Sequence, residues 1–237
     1  MAPEVLVGSE DVLAAQFVRR FETEARHAMT AQGRFACALP GGSVARAFLP
    51  WLVGASVDWS RVDVFWCDER AVPATDPESN YGLASRLWLQ QIQPDPSRVH
   101  RMPADAANLD AAAASYAADM IRITGDPPRL DVVLLGMGPD GHVCSLFPGH
   151  PALRDEAHEV LVVRDAPKPP RERLTVTRRV LAAAGTIYVA AFGAEKAAAI
   201  REAIEDEDSA LPVSLVVRSG PKTVFMLDPA AAGLLRT

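Results

Sequence analysis

One histidine stands where a proton-transfer group would be useful. The stretch Asp131-Val-Val-Leu-Leu-Gly136-Met-Gly138-Pro-Asp140-Gly141-His142 reads as a buried-type strand that breaks into glycines and then presents His142. Imidazole titrates nearest neutrality among side chains, so it can take and return a proton within one cycle. Gly138 and Gly141 permit a backbone that bulkier residues resist, aiming His142 outward. The carboxyl end of a strand is also where open α/β sheets bind ligands. Gly136, Gly138 and Gly141 spell G-x-G-x-x-G as well, but the dinucleotide reading is weak. Pro148 and Gly149 cut any following helix to about two turns, and Glu159 precedes the next candidate strand instead of ending it. Cys144 is a poor nucleophilic partner for His142, because side chains two apart on a helix diverge. His142, His150 and His158 show no regular ligand spacing, so no metal is expected.

Other residues point to an anion. Pro40-Gly41-Gly42-Ser43 lies between a strand and its helix, where exposed amides and a hydroxyl make a generic phosphate cradle. The same residues also suit an ordinary turn with Ser43 as N-cap. Asp68-Glu69-Arg70 follows a second strand, either as its solvated end or as part of a pocket shared with Ser43 and His142. In Arg173-Leu-Thr175-Val-Thr177 the two-residue period puts Arg173, Thr175 and Thr177 on one face. Lys196, in the first turn of a helix, runs against the macrodipole; an anionic ligand would account for it, and so would a surface position.

The elements that must position these residues alternate. Helices are expected over 9–32 (ended by Gly33), 44–53, 81–91, 109–123 and 194–204. Strands are expected over 35–39, 62–67, 130–135, 160–164, 174–177, 187–192, 213–217 and 223–227. Short apolar runs separated by helices imply an α/β fold: a doubly wound, mainly parallel, Rossmann-like sheet, with residues 1–237 as a single domain. The 166–170 segment reads as a proline-rich loop and 205–208 as an acidic turn.

Composition narrows the partners. Lys plus Arg number 24 against 30 for Asp plus Glu, a net charge of −6. No global field therefore favours nucleic acid or an anionic membrane, and an anionic ligand needs a local cationic site. The basic cluster from Lys168 to Arg179 is short and lacks interleaved aromatics, so a phosphorylated small molecule suits it better. Cys37, Cys67 and Cys144 are odd in number and form no C-x-x-C, which fits a reducing compartment. With no basic, apolar leader and no membrane-length apolar run, the expectation is a soluble, cytoplasmic protein.

The chain resembles the 6-phosphogluconolactonases, of the wider glucosamine-6-phosphate isomerase/deaminase superfamily. The resemblance rests on Pro40-Gly-Gly-Ser43, Phe65-Trp-Cys-Asp68-Glu69-Arg70-Ala-Val72 with Ser79-Asn80-Tyr81, and Leu134-Leu-Gly-Met-Gly-Pro-Asp-Gly-His142. It continues through Ser145-Leu-Phe-Pro-Gly149, Pro169-Pro170 with Arg173-Leu-Thr175, Gly193-Ala-Glu-Lys196-Ala and Leu211-Pro212. Val44-Ala45 and Val143-Cys144 depart from the usual Thr-Pro and Thr-Ala, and Arg218 falls where the pattern is looser. The resemblance implies hydrolysis of 6-phospho-D-glucono-1,5-lactone to 6-phosphogluconate in the oxidative pentose phosphate pathway, without metal or organic cofactor. His142 would then be base and acid, and Asp140 would orient it or bind sugar hydroxyls. Arg70 would contact carbonyl or phosphate oxygens. Gly41, Gly42 and Ser43, with Arg173 and Lys196, would hold the phosphate, and Asp68 would join the substrate-binding group.

Two rivals have other sequence requirements. Glucosamine-6-phosphate deaminases resemble Asp-Glu-Tyr where this chain has Asp68-Glu69-Arg70, and Phe-Asn-Glu-Pro where it reads Ser145-Leu146-Phe147-Pro148. Their aldose–ketose chemistry needs a further carboxylate near the histidine, and none follows here before Asp155. A non-catalytic sugar-phosphate sensor would carry an N-terminal helix-turn-helix, for which the short acidic start leaves no room. The oligomeric state is left open, a monomer being compatible.

Overall fold

Ser9 accepts a hydrogen bond from the Val12 amide and opens helix α1, Glu10–Gln32, which Gly33 closes in the left-handed region at φ 80°. The expected helix is thus present with its expected stop. In the computed structural model, residues 3–219 and 222–236 are described, so the outermost ends of the expected domain lie outside them. Strand β1 (Glu4–Val7) precedes α1; it is short and lies at a sheet edge, and its sequence carries too little pattern to announce it.

The chain then runs through β2 (Phe35–Leu39), α2 (Gly42–Leu52), β3 (Val62–Trp66), β4 (Asp68–Arg70) and α3 (Asn80–Ala84). A π-helical stretch, Ser85–Leu89, joins α3 to α4 (Gln90–Ile92), and α5 (Leu109–Thr124) follows. Next come β5 (Val132–Gly136), β6 (Val160–Val163), β7 (Arg173–Val176), α6 (Arg178–Ala182) and β8 (Thr186–Ala191). A 3-10 turn, Ala194–Lys196, leads into α7 (Ala197–Glu205), and α8 (Pro212–Arg218) and β9 (Lys222–Leu227) end the order.

Six strands form one sheet in the order β1-β9-β8-β5-β2-β3, and each neighbouring pair is parallel. The expected α/β architecture with a parallel sheet is therefore what the chain adopts. From β2 the chain steps outward to β3, whereas β5 lies on the other side of β2. The carboxyl ends of β2 and β5 thus flank a topological switch point, where such sheets open a crevice. β2 runs out into Pro40-Gly41-Gly42-Ser43, and β5 into the turn that carries His142.

Three expectations are corrected. Residues 213–217 form a helix, not a strand: Pro212 occupies the first helical turn, and Val213, Ser214 and Val216 are buried. A five-residue apolar run has no period long enough to separate the two states. The runs 160–164 and 174–177 are strands, but they join β4 in a separate antiparallel sheet, β4-β7-β6, outside the parallel one. The strand expected to carry Arg173, Thr175 and Thr177 on one face is Arg173–Val176, buried throughout with Arg173 on the cleft wall, and Thr177 falls beyond it, as N-cap of α6.

Aromatic packing fixes α2 against the sheet. Phe17 of α1 lies 5.4 Å from Phe48 of α2 and 5.3 Å from Tyr188 of β8. All three are fully buried, and each phenylalanine contributes roughly 1.5–3 kcal/mol. That contact holds the start of α2, and with it Ser43, at the mouth of the crevice.

Candidate active site

His142 owes its position to glycines. The Gly138 amide donates to His142 O at 2.9 Å, the Gly141 amide to Gly138 O at 3.0 Å, and Gly141 has φ 77°. A Cβ on Gly138 would lie 2.1 Å from His142 Cε1, so the imidazole occupies the space a side chain would fill. Below the ring, Phe147 packs at 4.8 Å. The helix a dinucleotide fingerprint requires after Gly141 is absent among the described residues: isolated bridges pair Met137 with Val143 and Val143 with Leu146. This removes the remaining support for a dinucleotide fold.

Asp140 Oδ1 lies 2.5 Å from His142 Nδ1 and also accepts from the His142 amide at 3.3 Å. Partial burial works to raise the Asp140 carboxyl, but the hydrogen bonds and charge of His142 outweigh it and hold it below the usual range. Asp140 is thus an anion at neutral pH and only accepts. Nδ1 must donate to it, which leaves Nε2 as the ring atom that accepts a proton when the imidazole is neutral.

Around the same cleft, of about 160 Å³, stand Gly41, Gly42, Ser43, Asp68, Arg70, His142, Arg173 and Lys196. The structure brings together every residue expected at the site; Asp140 supports His142 from behind. Gly41, not Ser43, is the N-cap of α2, and no side chain caps that helix. The first amides of α2 lack intrahelical acceptors and suit an anion.

The cations come from three elements. Arg70 of β4 pairs in register with Arg173 of β7. Arg70 Nη1 donates to Glu78 O at 2.8 Å, and Arg173 donates to Pro170 O and Lys168 O at 3.0 and 3.1 Å. Burial lowers Arg173, and Arg70 pushes in the same direction, while Asp68 and Glu78 oppose it. Lys196 makes no ion pair within 4 Å with a described residue; burial lowers its ammonium, against the pull of Glu195 and Asp228.

Sequence reasoning missed the residues that stitch this site together. Asp68 accepts from Asn80 Nδ2 at 3.1 Å and from Ser145 Oγ at 2.8 Å, tying β4 to α3 and to the His142 turn. Gly41 has no room for a side chain because a Cβ there would sit 1.6 Å from Asn80 Oδ1. Glu69 accepts from the Asn80 and Tyr81 amides and from Ser79 Oγ; burial raises its carboxyl while those donors lower it. The pairing of Ser79-Asn80 with Asp68-Glu69 was visible only as co-occurrence in one motif. Cys144 also needs correction. It is not on a helix but has φ 53°, and it lines the cleft beside Cys67. The Cys67 thiol and burial push the Cys144 thiol well up, which makes it a poor nucleophile.

A histidine–carboxylate pair and a cationic cleft at the switch point of a parallel sheet define a class of α/β proteins suited to small anionic ligands. The chain belongs to the glucosamine-6-phosphate isomerase/6-phosphogluconolactonase family, whose model matches residues 8–225. A 6-phosphogluconolactonase of Streptomyces coelicolor is 34% identical over 98% of this chain and 95% of its own length. A 6-phosphogluconolactonase of Rattus norvegicus is 39% identical, covering 86% and 82%. Among solved structures, the 6-phosphogluconolactonase of Trypanosoma brucei superposes with a TM-score of 0.87 at 26% identity, covering 99% of both chains. A monomeric glucosamine-6-phosphate deaminase shares the fold, with a TM-score of 0.82 at 21% identity.

Proposed function

We propose that this protein is a 6-phosphogluconolactonase, hydrolysing 6-phospho-D-glucono-1,5-lactone to 6-phosphogluconate in the oxidative pentose phosphate pathway, with the whole chain acting as one domain. The observation that carries the mechanism is the Asp140–His142 pair opening onto a cleft with three cations. Water loses a proton to His142 Nε2 as its oxygen attacks C1. The resulting imidazolium is stabilised by Asp140 and then protonates the departing ring oxygen.

The phosphate lies against Ser43, the first amides of α2, Arg173 and Lys196. Binding there converts remote interaction energy into orientation at C1. Arg70, beside Arg173, serves an anionic oxygen of the same ligand. Asp68 spends two of its roughly four acceptor positions on Asn80 and Ser145 and has others for a sugar hydroxyl. Attack on C1 forms the new C–O bond, collapse of the tetrahedral intermediate breaks the bond to the ring oxygen, and the chain's own groups supply the proton transfers.

The competing deaminase reading would place a further carboxylate after the His142 turn, at the position where Phe147 instead packs against the imidazole at 4.8 Å. The test is to generate the lactone in situ by oxidising glucose 6-phosphate and to follow acid release. Acceleration over spontaneous hydrolysis, with no ammonia formed from glucosamine 6-phosphate, supports the lactonase. Ammonia release without lactone hydrolysis refutes it.

A further inference from the structure

Glu78 touches the site without belonging to any part of the mechanism above. Its carboxylate Oε2 lies 3.4 Å from Arg70 Nη1, and its side chain is 57% exposed. The backbone around it is held firmly. The Glu78 amide donates to Asp76 Oδ1 at 2.8 Å, and Glu69 anchors the following residues from beneath. Arg70 therefore keeps its bond to Glu78 O whatever the side chain does, whereas the carboxylate is attached only through its own flexible stem. Arg70 Nε is buried and has no acceptor among the described residues, so the guanidinium meets the cleft through its outer nitrogens. Across the β4–β7 ladder stands Arg173, close enough for Glu78 to act on its charge too.

We propose that Glu78 is a built-in stand-in for the substrate's anionic oxygen, neutralising Arg70 until the ligand displaces it, and thereby a specificity-determining residue. Two like charges opposed on neighbouring strands repel. Glu78 relieves that repulsion from the solvent side. A ligand oxygen that meets the guanidinium at ordinary hydrogen-bond distance gains a better contact than the long single one to Oε2. A ligand without an anionic group cannot make the exchange, so Glu78 raises the threshold for neutral sugars and their lactones. The inference rests on the proposed role of Arg70 toward an anionic ligand oxygen, which is either phosphate or the C1 oxygen.

Calorimetric binding to the full-length protein tests it, with 6-phosphogluconate, inorganic phosphate and gluconate as probes. Glu78→Gln should tighten 6-phosphogluconate about three- to fivefold, the scale of one solvent-exposed ion pair. Glu78→Asp, which keeps the charge but withdraws it by one methylene, should behave similarly. A gain shared by inorganic phosphate identifies phosphate as the displacing group, and a gain shared by gluconate identifies the C1 oxygen. Unchanged or weaker binding in Glu78→Gln overturns the proposal. So does Glu78→Asp binding like the unaltered protein, since a diffuse field would then explain the glutamine result. Arg70→Ala separates the two readings. If it leaves 6-phosphogluconate binding intact, the role of Arg70 falls; if it weakens binding and Glu78→Gln gives no gain, only the stand-in falls.

Discussion

Arg70 and Arg173 stand directly opposite each other where β4 pairs antiparallel with β7. Like charges at such a position destabilise a sheet, and Arg173 is buried in addition. Both guanidiniums line the cleft that His142 faces. An anion bound between them would relieve a repulsion that the fold sets up.

Inorganic phosphate should therefore stabilise the protein against heat. A ligand at a hundred times its Kd adds about 2.7 kcal/mol, or roughly 5–10 °C in a domain of this size. Calorimetric melting with and without phosphate checks this, and Arg173→Ala should remove most of the shift. In kinetics, Arg173→Ala should raise KM about ten- to a hundredfold through the loss of a charge-assisted contact.

Lys196 should give phosphate binding an alkaline limit. Burial lowers its ammonium below the ordinary 10.5, so its charge is lost at a pH where an exposed lysine would keep it. Affinity for 6-phosphogluconate should fall as pH rises through that lowered value, and Lys196→Arg should extend binding upward. Stability should move the opposite way. Between the folded and unfolded values the unfolded chain binds more protons, so this group makes stability rise with pH. Calorimetric affinity and melting measured from neutral pH up to the ordinary 10.5 read both signs.

Gly138→Ala tests the packing behind the histidine. Its Cβ would fall 2.1 Å from His142 Cε1 and 2.7 Å from Asp140 Oδ1, so the imidazole must move off the carboxylate. The lactonase rate should drop by about two orders of magnitude, in line with loss of a positioned base. Circular dichroism should show the fold retained.

Asp140→Asn tests the tautomer. An amide can donate to Nδ1 and so hold the proton on Nε2, which is the wrong state for a base. kcat should fall by about 10²-fold or more, while KM stays within about twofold. In the unaltered protein the bond to His142 depresses the Asp140 carboxyl below its ordinary 3.8. Its contribution to stability is thus present above that pH and is lost as pH falls through the lower folded value.

Much of this site could be read from residue order, because its main parts are local. A strand running into Gly-rich turns announced both the His142 loop and the Gly41-Gly42-Ser43 loop, and parallel topology brought their ends together at the switch point. The opposition of Arg70 to Arg173 was not legible. It depends on β4, three residues long, pairing with a strand a hundred positions away. The same holds for Asp68, whose partners Asn80 and Ser145 come from separate elements. Residues 213–217 were misread because β-branched side chains favour strands, whereas Pro212 and the Val213 amide bond to Gly141 O start a helix there. Tertiary contact, not local preference, decides such cases.

The central claim is that His142 takes the proton from water, and His142→Asn tests it most directly. The lactone should be generated in situ and its disappearance followed against the spontaneous rate at fixed pH. The unaltered protein should accelerate hydrolysis, and His142→Asn should lower kcat by about 10²–10⁴-fold while 6-phosphogluconate binds within about threefold of normal. A His142→Asn variant that retains more than about a tenth of the unaltered kcat would contradict the assignment.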